Sequence, residues 1–125
     1  MGIKQYKVGK SWEEEVMDYY GNHGFSTIKL STDLDGTVFD IIAIKGNKAV
    51  CIECKHTTTE KLYFKSSGLE HKRDELNNFV ANGNNVIIYV KSDKTGTFII
   101  DWLDAKKIFK EKGYIVKEDC IKVTL

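Results

Sequence analysis

The chain has 125 residues, of which 42% are hydrophobic and 30% charged, and its formal net charge is +1. This length and composition predict a globular protein with one domain over residues 1–125 and exclude a membrane-spanning helix, which needs roughly 20 consecutive apolar residues. Three cysteines, an odd number, argue against a disulfide framework. The polar start, Met1 to Lys7, has no apolar signal region and predicts a cytoplasmic location.

The first half of the chain begins with a predicted amphipathic helix over residues 10–22. Ser11 is suited to cap this helix, and the acidic residues at 13–15 are suited to its first turn. A strand is predicted over Phe25 to Leu30, followed by a polar loop over residues 31–36 and a hairpin over residues 37–55. The dipeptide Gly46-Asn47 marks the turn of this hairpin.

The second half begins with residues 56–68, which are expected to form an irregular segment that could touch a substrate. The later predicted elements are a helix over Leu69 to Asn82, strands over Val86 to Lys91 and Thr97 to Trp102, a helix over Leu103 to Lys112 and a last strand across Cys120 to Leu125. This order predicts an α/β or α+β domain, in which helices flank a mixed sheet that is part antiparallel and part parallel.

Charged residues interrupt the apolar hairpin. Asp40 precedes the turn, and Glu53 and Lys55 follow it. Alternation along the second strand places Cys51, Glu53 and Lys55 on one face, and Val50, Ile52 and Cys54 on the other. A buried, unpaired charge costs several kcal/mol, roughly, and a divalent cation held by Asp40 and Glu53 would offset this cost. The spacing therefore predicts a metal site at which Lys55 faces a bound phosphate.

The first helix supplies another candidate acid. At 100° per residue, Trp12, Val16 and Tyr20 share one face, and Glu13 lies within that arc while Glu14 lies outside it. All three glutamates at 13–15 could simply complement the helix dipole, but this does not explain an inward position. Glu13 alone is therefore predicted to face the core side, where it could orient the site or contact a metal-bound water.

The net charge of +1 is low for a protein that binds nucleic acid, so a basic face would have to be segregated from the acidic residues. Candidates for that face are Lys4, Lys7, Lys10, Lys61, Lys65, Lys72 and Arg73, although a single lysine is more often part of a solvated surface. Cys51 and Cys54 have the Cys-x-x-Cys spacing of redox and zinc sites, but residues three apart on a strand point to opposite faces.

Four segments of the chain resemble the PD-(D/E)xK nuclease superfamily and, within it, the Holliday junction resolvases of archaea, bacteria and phages. Gly9 to Glu13 is similar to the Gly-x-x-x-Glu of the first helix, Phe39-Asp40 occupies the acid position, Glu53-Cys54-Lys55 is the triplet, and His71-Lys72 stands where bacterial resolvases tend to carry His-Gln. The chain departs from the pattern at Phe39, which replaces the proline, and at Lys72, which replaces a neutral amide by a positive charge.

The resemblance implies a restriction-endonuclease-like core and a metal-dependent nuclease that acts on four-way junctions or other branched DNA. It implies that Asp40, Glu53 and the backbone carbonyl of Cys54 bind Mg²⁺ or Mn²⁺, that Glu13 reaches the metal directly or through water, and that Lys55 stabilises the phosphate during hydrolysis. It also implies a homodimer in the cytosol of a bacterial, archaeal or phage-infected cell. The residues expected to contact DNA are Lys10, His56, Lys61, Lys65, His71, Lys72 and Arg73.

Two alternatives to a junction resolvase remain open from the sequence. The same fold could serve a restriction-type or repair endonuclease that acts on duplex DNA, because one fold supports many substrates. It could also serve a catalytically silent DNA-binding domain, although Asp40, Glu53 and Lys55 are all retained.

Overall fold

The computed structural model describes residues 11–30 and 39–120. Its helices are α1 (Trp12–Asn22), α2 (Leu69–Ala81) and α3 (Trp102–Lys112), and a 3₁₀ turn spans Lys117–Asp119. Its strands are β1 (Ser26–Lys29), β2 (Ile41–Lys45), β3 (Lys48–Thr57), β4 (Leu62–Tyr63), β5 (Asn85–Ser92), β6 (Gly96–Asp101) and β7 (Tyr114–Ile115). Lys10, the predicted loop over 31–36 and residues 121–125 of the predicted last strand lie outside the described residues.

Five strands form the central sheet in the order β1-β2-β3-β5-β6. β3 and β5 run parallel and are joined through α2, whereas the other neighbours run antiparallel. The prediction of a mixed sheet flanked by helices is therefore confirmed. The β2–β3 turn places Gly46 at φ +60°, a left-handed backbone that glycine adopts without strain and that suits a two-residue hairpin loop.

The helices cover opposite faces of the sheet. On one face, α1 buries Val16 and Tyr20 completely in a cluster that includes Ile52 of β3. On the other face, α2 and α3 bury Leu76 and Trp102 in a second apolar cluster, which also contains Cys51, Ile88 and Ile100. The alternation predicted along β3 is confirmed, and it directs Glu53 towards the α2 side. Among the described residues no helix is long and apolar enough to cross a membrane.

Two predicted elements differ from the structure. The predicted strand over Thr97 to Trp102 is wrong at its end, because Trp102 is the first residue of α3 and its indole N–H donates to Asn77 Oδ1 at 2.8 Å. The prediction that residues 56–68 are irregular is wrong at His56 and Thr57, which are the last residues of β3, and at Leu62–Tyr63, which pairs with Tyr114–Ile115 in a small second sheet. Strands of two residues are too short to leave a periodic pattern in the sequence.

The ends of two further predictions also shift. α1 begins at Trp12 rather than at residue 10, with Ser11 as its N-cap, and the Ser11 side chain accepts a hydrogen bond from the N–H of Glu14 at 3.3 Å. This confirms the predicted cap. Cys120, where a last strand was expected to start, follows the 3₁₀ turn and belongs to no strand.

Candidate active site

Asp40 lies one residue before β2 and extends the pairing of β2 with β3. Its N–H donates to the carbonyl of Ile52 at 3.0 Å, and its carboxylate Oδ2 accepts from the N–H of Cys54 at 2.8 Å. The N–H of Cys54 in β3 is thus bonded to a side-chain oxygen of Asp40 instead of to a backbone carbonyl of a neighbouring strand. Because the N–H and C=O of one strand residue point towards the same edge, the carbonyl of Cys54 faces the same side of β3 as the Asp40 carboxylate.

Glu53 is a buried carboxylate contacted by two lysines. It is 2% exposed, and its Oε2 lies 2.9 Å from the Nζ of Lys72, while its Oε1 lies 3.6 Å from the Nζ of Lys55. Lys55 also donates to the backbone carbonyl of Ser67 at 2.8 Å, which fixes its ammonium beside the carboxylate. Glu53 and Lys55 come from β3 and Lys72 from α2, so the packing of α2 on the sheet assembles the site.

Burial of the Glu53 carboxylate disfavours its charged form. Burial is the largest cause that raises the pKa of the Glu53 carboxyl from 4.5 to about 7, and the charge of Asp40 raises it as well. Lys55 and Lys72 act in the opposite direction. Since the pKa stays raised despite two neighbouring ammonium groups, a further cation beside Asp40 and Glu53 would stabilise the ionised carboxylate.

The donor atoms at this edge of the sheet fit a hard divalent cation. Asp40 and Glu53 offer carboxylate oxygens and Cys54 offers a backbone carbonyl, the ligand types that Mg²⁺ and Mn²⁺ prefer. In residues 11–30 and 39–120, no group of three or more histidine, cysteine, aspartate or glutamate side chains is placed to hold a metal. This is compatible with Mg²⁺, which commonly uses one or two carboxylates and takes its other ligands from water and substrate phosphate.

Glu13 lies near enough to the site for its charge to act on Cys54. Its side chain is partly buried on the first turn of α1. The role predicted for Glu13, at the metal or through water, stays a prediction. Glu14 is exposed as expected, whereas Glu15 is also partly buried, with its side chain 41% exposed, and pairs with Lys91 at 3.0 Å.

Comparison with known proteins identifies the family. The sequence profile of the archaeal Holliday junction resolvase (Hjc) family matches residues 4–124, nearly the whole chain. The chain belongs to the archaeal Holliday junction resolvase family. A relative from Saccharolobus solfataricus, the crossover junction endodeoxyribonuclease Hje, is 31% identical over 78 residues, which are 61% of this chain and 58% of that protein. The chain thus matches little more than half the length of this relative.

The fold of this chain is similar to that of a solved structure, Archaeoglobus fulgidus Hjc, a Holliday junction resolvase. It superposes with a TM-score of 0.63 over 85% of each chain, at 17% sequence identity. An identity this low supports the fold alone. The five-stranded sheet flanked by three helices is thus that of the Hjc structure.

Among the DNA-contact residues predicted for this member of the Hjc family, His56 and Lys61 have partners in the fold. His56 Nε2 lies 2.8 Å from Asp93 Oδ1, and both side chains are 49% exposed. Lys61 holds its ammonium 4.5 Å from the ring centre of Tyr114. Both contacts are at the surface, where a cation–π or ion-pair contact is weak and can be exchanged for a phosphate.

The remaining predicted DNA contacts are distributed around α2. His71 is exposed, Lys72 contacts Glu53 within the site, and Arg73 is exposed beside Asp74 at 3.6 Å. Lys65 is exposed in the loop before α2. Lys72 therefore lies beside Glu53, and its predicted contact with DNA stays a prediction.

One element of the site was not found from the sequence. The carbonyl of Ser67 holds the Lys55 ammonium, and its position depends on the turn that leads into α2, where Gly68 adopts φ +85°. A backbone carbonyl carries no side-chain signal. The pair Ser67-Gly68 before a helical pattern could have indicated a helix entry, but not a contact with Lys55.

The two cysteines of the Cys-x-x-Cys spacing lie on opposite faces of the sheet. Cys51 packs in the cluster with α2 and α3, and Cys54 packs against the cluster with α1. Burial raises the pKa of both thiols, which disfavours the thiolate that metal binding and redox chemistry require. The geometry therefore supports a structural role for both side chains.

Proposed function

We propose that this protein is a metal-dependent endonuclease that resolves Holliday junctions, or other branched DNA, by phosphodiester hydrolysis. The observation that carries the proposal is the buried Glu53 carboxylate, 2% exposed, held between two lysines at the strand edge where the Asp40 carboxylate binds the backbone of residue 54. Membership in the archaeal Holliday junction resolvase family supports the substrate class.

The proposed metal ligands are Asp40, Glu53 and the carbonyl of Cys54, with Glu13 acting through water. A bound Mg²⁺ or Mn²⁺ would supply a Lewis acid for the phosphate and a more acidic water molecule. The Asp40 carboxylate is oriented by the Cys54 N–H, so one of its oxygens is already committed to the strand and the other remains for a ligand. Glu53 brings the second carboxylate from the same strand edge.

Lys55 is proposed to act on the phosphate. Its ammonium is positioned by Ser67 and Glu53 before any substrate arrives, so little reorganisation is needed when charge develops on the phosphate oxygens. It can donate to a non-bridging oxygen and orient the attacking water. Hydrolysis of this type leaves a 5′-phosphate and a 3′-hydroxyl.

We also propose that the active form is a homodimer. Resolution of a four-way junction needs two cuts, and a chain with one such site supplies one, so two copies related by a two-fold axis suit a symmetric junction. Large apolar side chains that are exposed and could contribute to such a contact are Ile28, Ile44, Tyr63, Phe79 and Leu103. Light scattering that shows a strict monomer, both alone and with junction DNA, would contradict this part of the proposal.

The decisive experiment compares cleavage of a four-way junction with cleavage of a linear duplex of the same sequence, in Mg²⁺ and in EDTA. We expect Mg²⁺-dependent cleavage that favours the junction, and its loss in Glu53→Gln and Lys55→Met with DNA binding largely retained. Glu75→Gln is a matched control, because Glu75 is exposed on α2. Equal cleavage of the duplex would indicate a restriction-type or repair endonuclease, and binding without cleavage would indicate a silent DNA-binding domain.

A further inference from the structure

A basic groove lies between α2 and α3, beside the candidate active site but not part of it. Two adjoining clefts of about 510 Å³ and 410 Å³ share Phe64 and Phe109 as lining residues. The first is also lined by Arg73, Lys106, Lys107 and Lys110, and the second also by Tyr63, Lys65, Glu70 and Gly113. We call these two clefts together the α2–α3 groove.

The base of the α2–α3 groove is apolar and well packed. The rings of Phe64 and Phe109 stack with their centres 4.8 Å apart at 26°, and Phe109 is 5% exposed. Phe64 also stacks on the buried ring of Trp102, which belongs to the main apolar cluster on this side of the sheet. The lysines of α3 are therefore attached to a firmly packed element.

The positive charge of the groove is poorly neutralised. Within the described parts of the chain, neither Lys107 nor Lys110 lies within ion-pair distance of a carboxylate, and both side chains are exposed. The Lys106 ammonium donates to Asn77 Oδ1 at 3.2 Å. Because the Asn77 amide is neutral, this bond does not compensate the charge of Lys106. Arg73 is 3.6 Å from the exposed Asp74, and Glu70 is the carboxylate that lines the smaller cleft. The groove thus suits an anionic ligand.

The groove and the candidate active site lie on neighbouring faces of α2. Lys72 contacts Glu53, whereas the next residue, Arg73, lines the groove, because successive helix residues point about 100° apart. The two sites are therefore separated by about one helix diameter, roughly 10 Å. Duplex DNA carries about one charge per 1.7 Å of its axis, so a DNA arm held at the active site presents further phosphates within this distance.

We infer that the α2–α3 groove binds the phosphodiester backbone of a DNA arm away from the scissile phosphate, with Lys107 and Lys110 as its main contacts. The inference rests on the proposed function for the position of the scissile phosphate. It also explains how a chain with a net charge of only +1 can bind DNA, because positive charge is concentrated on one face of the protein. These contacts position the DNA and do not take part in hydrolysis.

The test is the salt dependence of junction binding in EDTA, where no cleavage occurs. Each lost phosphate contact lowers the slope of log K against log salt by about 0.9. For K107Q/K110Q we expect the slope to fall by about 2 and the affinity at 0.1 M salt to fall roughly 10- to 60-fold. K45Q/K48Q is the matched control, because it removes the same charge at the β2–β3 turn, and it should leave the slope unchanged.

A slope in K107Q/K110Q equal to that of the wild type, or a fall no larger than in K45Q/K48Q, would overturn the inference. A change of oligomeric state with an unchanged slope would also overturn it and would assign the groove to a contact between copies. Cleavage assays keep the two proposals distinguishable. Junction cleavage with an unchanged slope refutes only the groove, whereas a lowered slope without cleavage of any DNA refutes only the nuclease.

Discussion

Exchange of Lys72 for glutamine tests how the site balances its charges. The Lys72 ammonium lies 2.9 Å from Oε2 of Glu53, which is also a proposed metal ligand. A divalent cation that binds Glu53 would therefore be repelled by this ammonium or would have to displace it. Glutamine removes this charge and keeps a polar side chain, so we expect K72Q to bind metal more tightly than the wild type.

The size of the effect follows from the geometry. A metal about 2 Å from the carboxylate would stand roughly 5 Å from the ammonium, and at an effective dielectric constant of about 20 the repulsion is roughly 7 kcal/mol. This is an upper bound, because the Lys72 side chain is 30% exposed and can swing into water. With the ammonium about 8 Å away in a more polar medium, the repulsion falls to about 1 to 2 kcal/mol, or roughly tenfold in dissociation constant.

The measurement is a calorimetric titration with Mn²⁺ at pH 8.5 without DNA. The high pH is needed because loss of Lys72 removes a group that lowers the pKa of Glu53, so protons would compete with the metal near neutrality. K72R keeps the charge and should bind like the wild type, and K61Q removes a lysine that stacks on Tyr114 outside the site. Equal or weaker Mn²⁺ binding by K72Q would refute the reasoning.

Three other variants test the site and its support. D40N should abolish Mn²⁺ binding while the circular dichroism spectrum is retained, and it should lower the pKa of Glu53; retained Mn²⁺ binding would exclude Asp40 as a ligand. The metal-free wild type should lose up to about 3 kcal/mol of unfolding free energy between pH 4.5 and 7, because only the folded state keeps the Glu53 proton there. Urea denaturation should show no such loss of unfolding free energy for E53Q. An identical pH profile for the wild type and E53Q would contradict the assignment of the loss to Glu53. N77A should cost about 1 to 3 kcal/mol, because it leaves the buried indole N–H of Trp102 without its acceptor, whereas N78A at an exposed position should cost less than 0.5 kcal/mol; equal losses would contradict the role of this bond.

The central part of the fold could be predicted from the sequence because its patterns are long. The side chains of β3 point alternately to the two faces of the sheet, and the helices carry clear apolar faces. The grouping of Glu53 with Cys51 and Lys55 on one face therefore followed from periodicity, whereas the packing of α2 against that face did not. The Gly46-Asn47 turn sets the register in which Ile41 pairs with Ile52, and this register leaves the Asp40 carboxylate within reach of the Cys54 N–H. A two-residue loop leaves little freedom in this register.

The parts that could not be predicted depend on tertiary contacts. Trp102 has strand propensity, but packing in the core and its bond to Asn77 place it at the start of α3. Glu15 becomes partly buried because Lys91 of β5 reaches it, and no pattern within α1 indicates that contact. The role of the Ser67 carbonyl likewise depends on how the chain enters α2.

The charge balance of the site leads to a last prediction, that metal and DNA bind cooperatively. In the described structure the Glu53 carboxylate contacts the ammonium groups of Lys55 and Lys72, and the Asp40 carboxylate is close enough for its charge to act on Glu53. A divalent cation that arrives alone leaves an excess of positive charge beside a buried carboxylate. A scissile phosphate removes this excess and offers the Lys72 ammonium another anionic partner, so each ligand should favour the other.

The coupling can be measured as the dissociation constant of a junction with non-hydrolysable linkages, with and without Mn²⁺. We expect Mn²⁺ to tighten junction binding about tenfold in the wild type, and linkage requires the junction to tighten Mn²⁺ binding by the same factor. In K72Q the metal alone no longer competes with an ammonium for Glu53, so the factor should be severalfold smaller, whereas K94Q, which removes an exposed lysine in the β5–β6 turn, should keep the wild-type factor. An equal factor in the wild type and in K72Q would show that Lys72 does not connect the two ligands, and its contact with Glu53 would then only stabilise the metal-free fold.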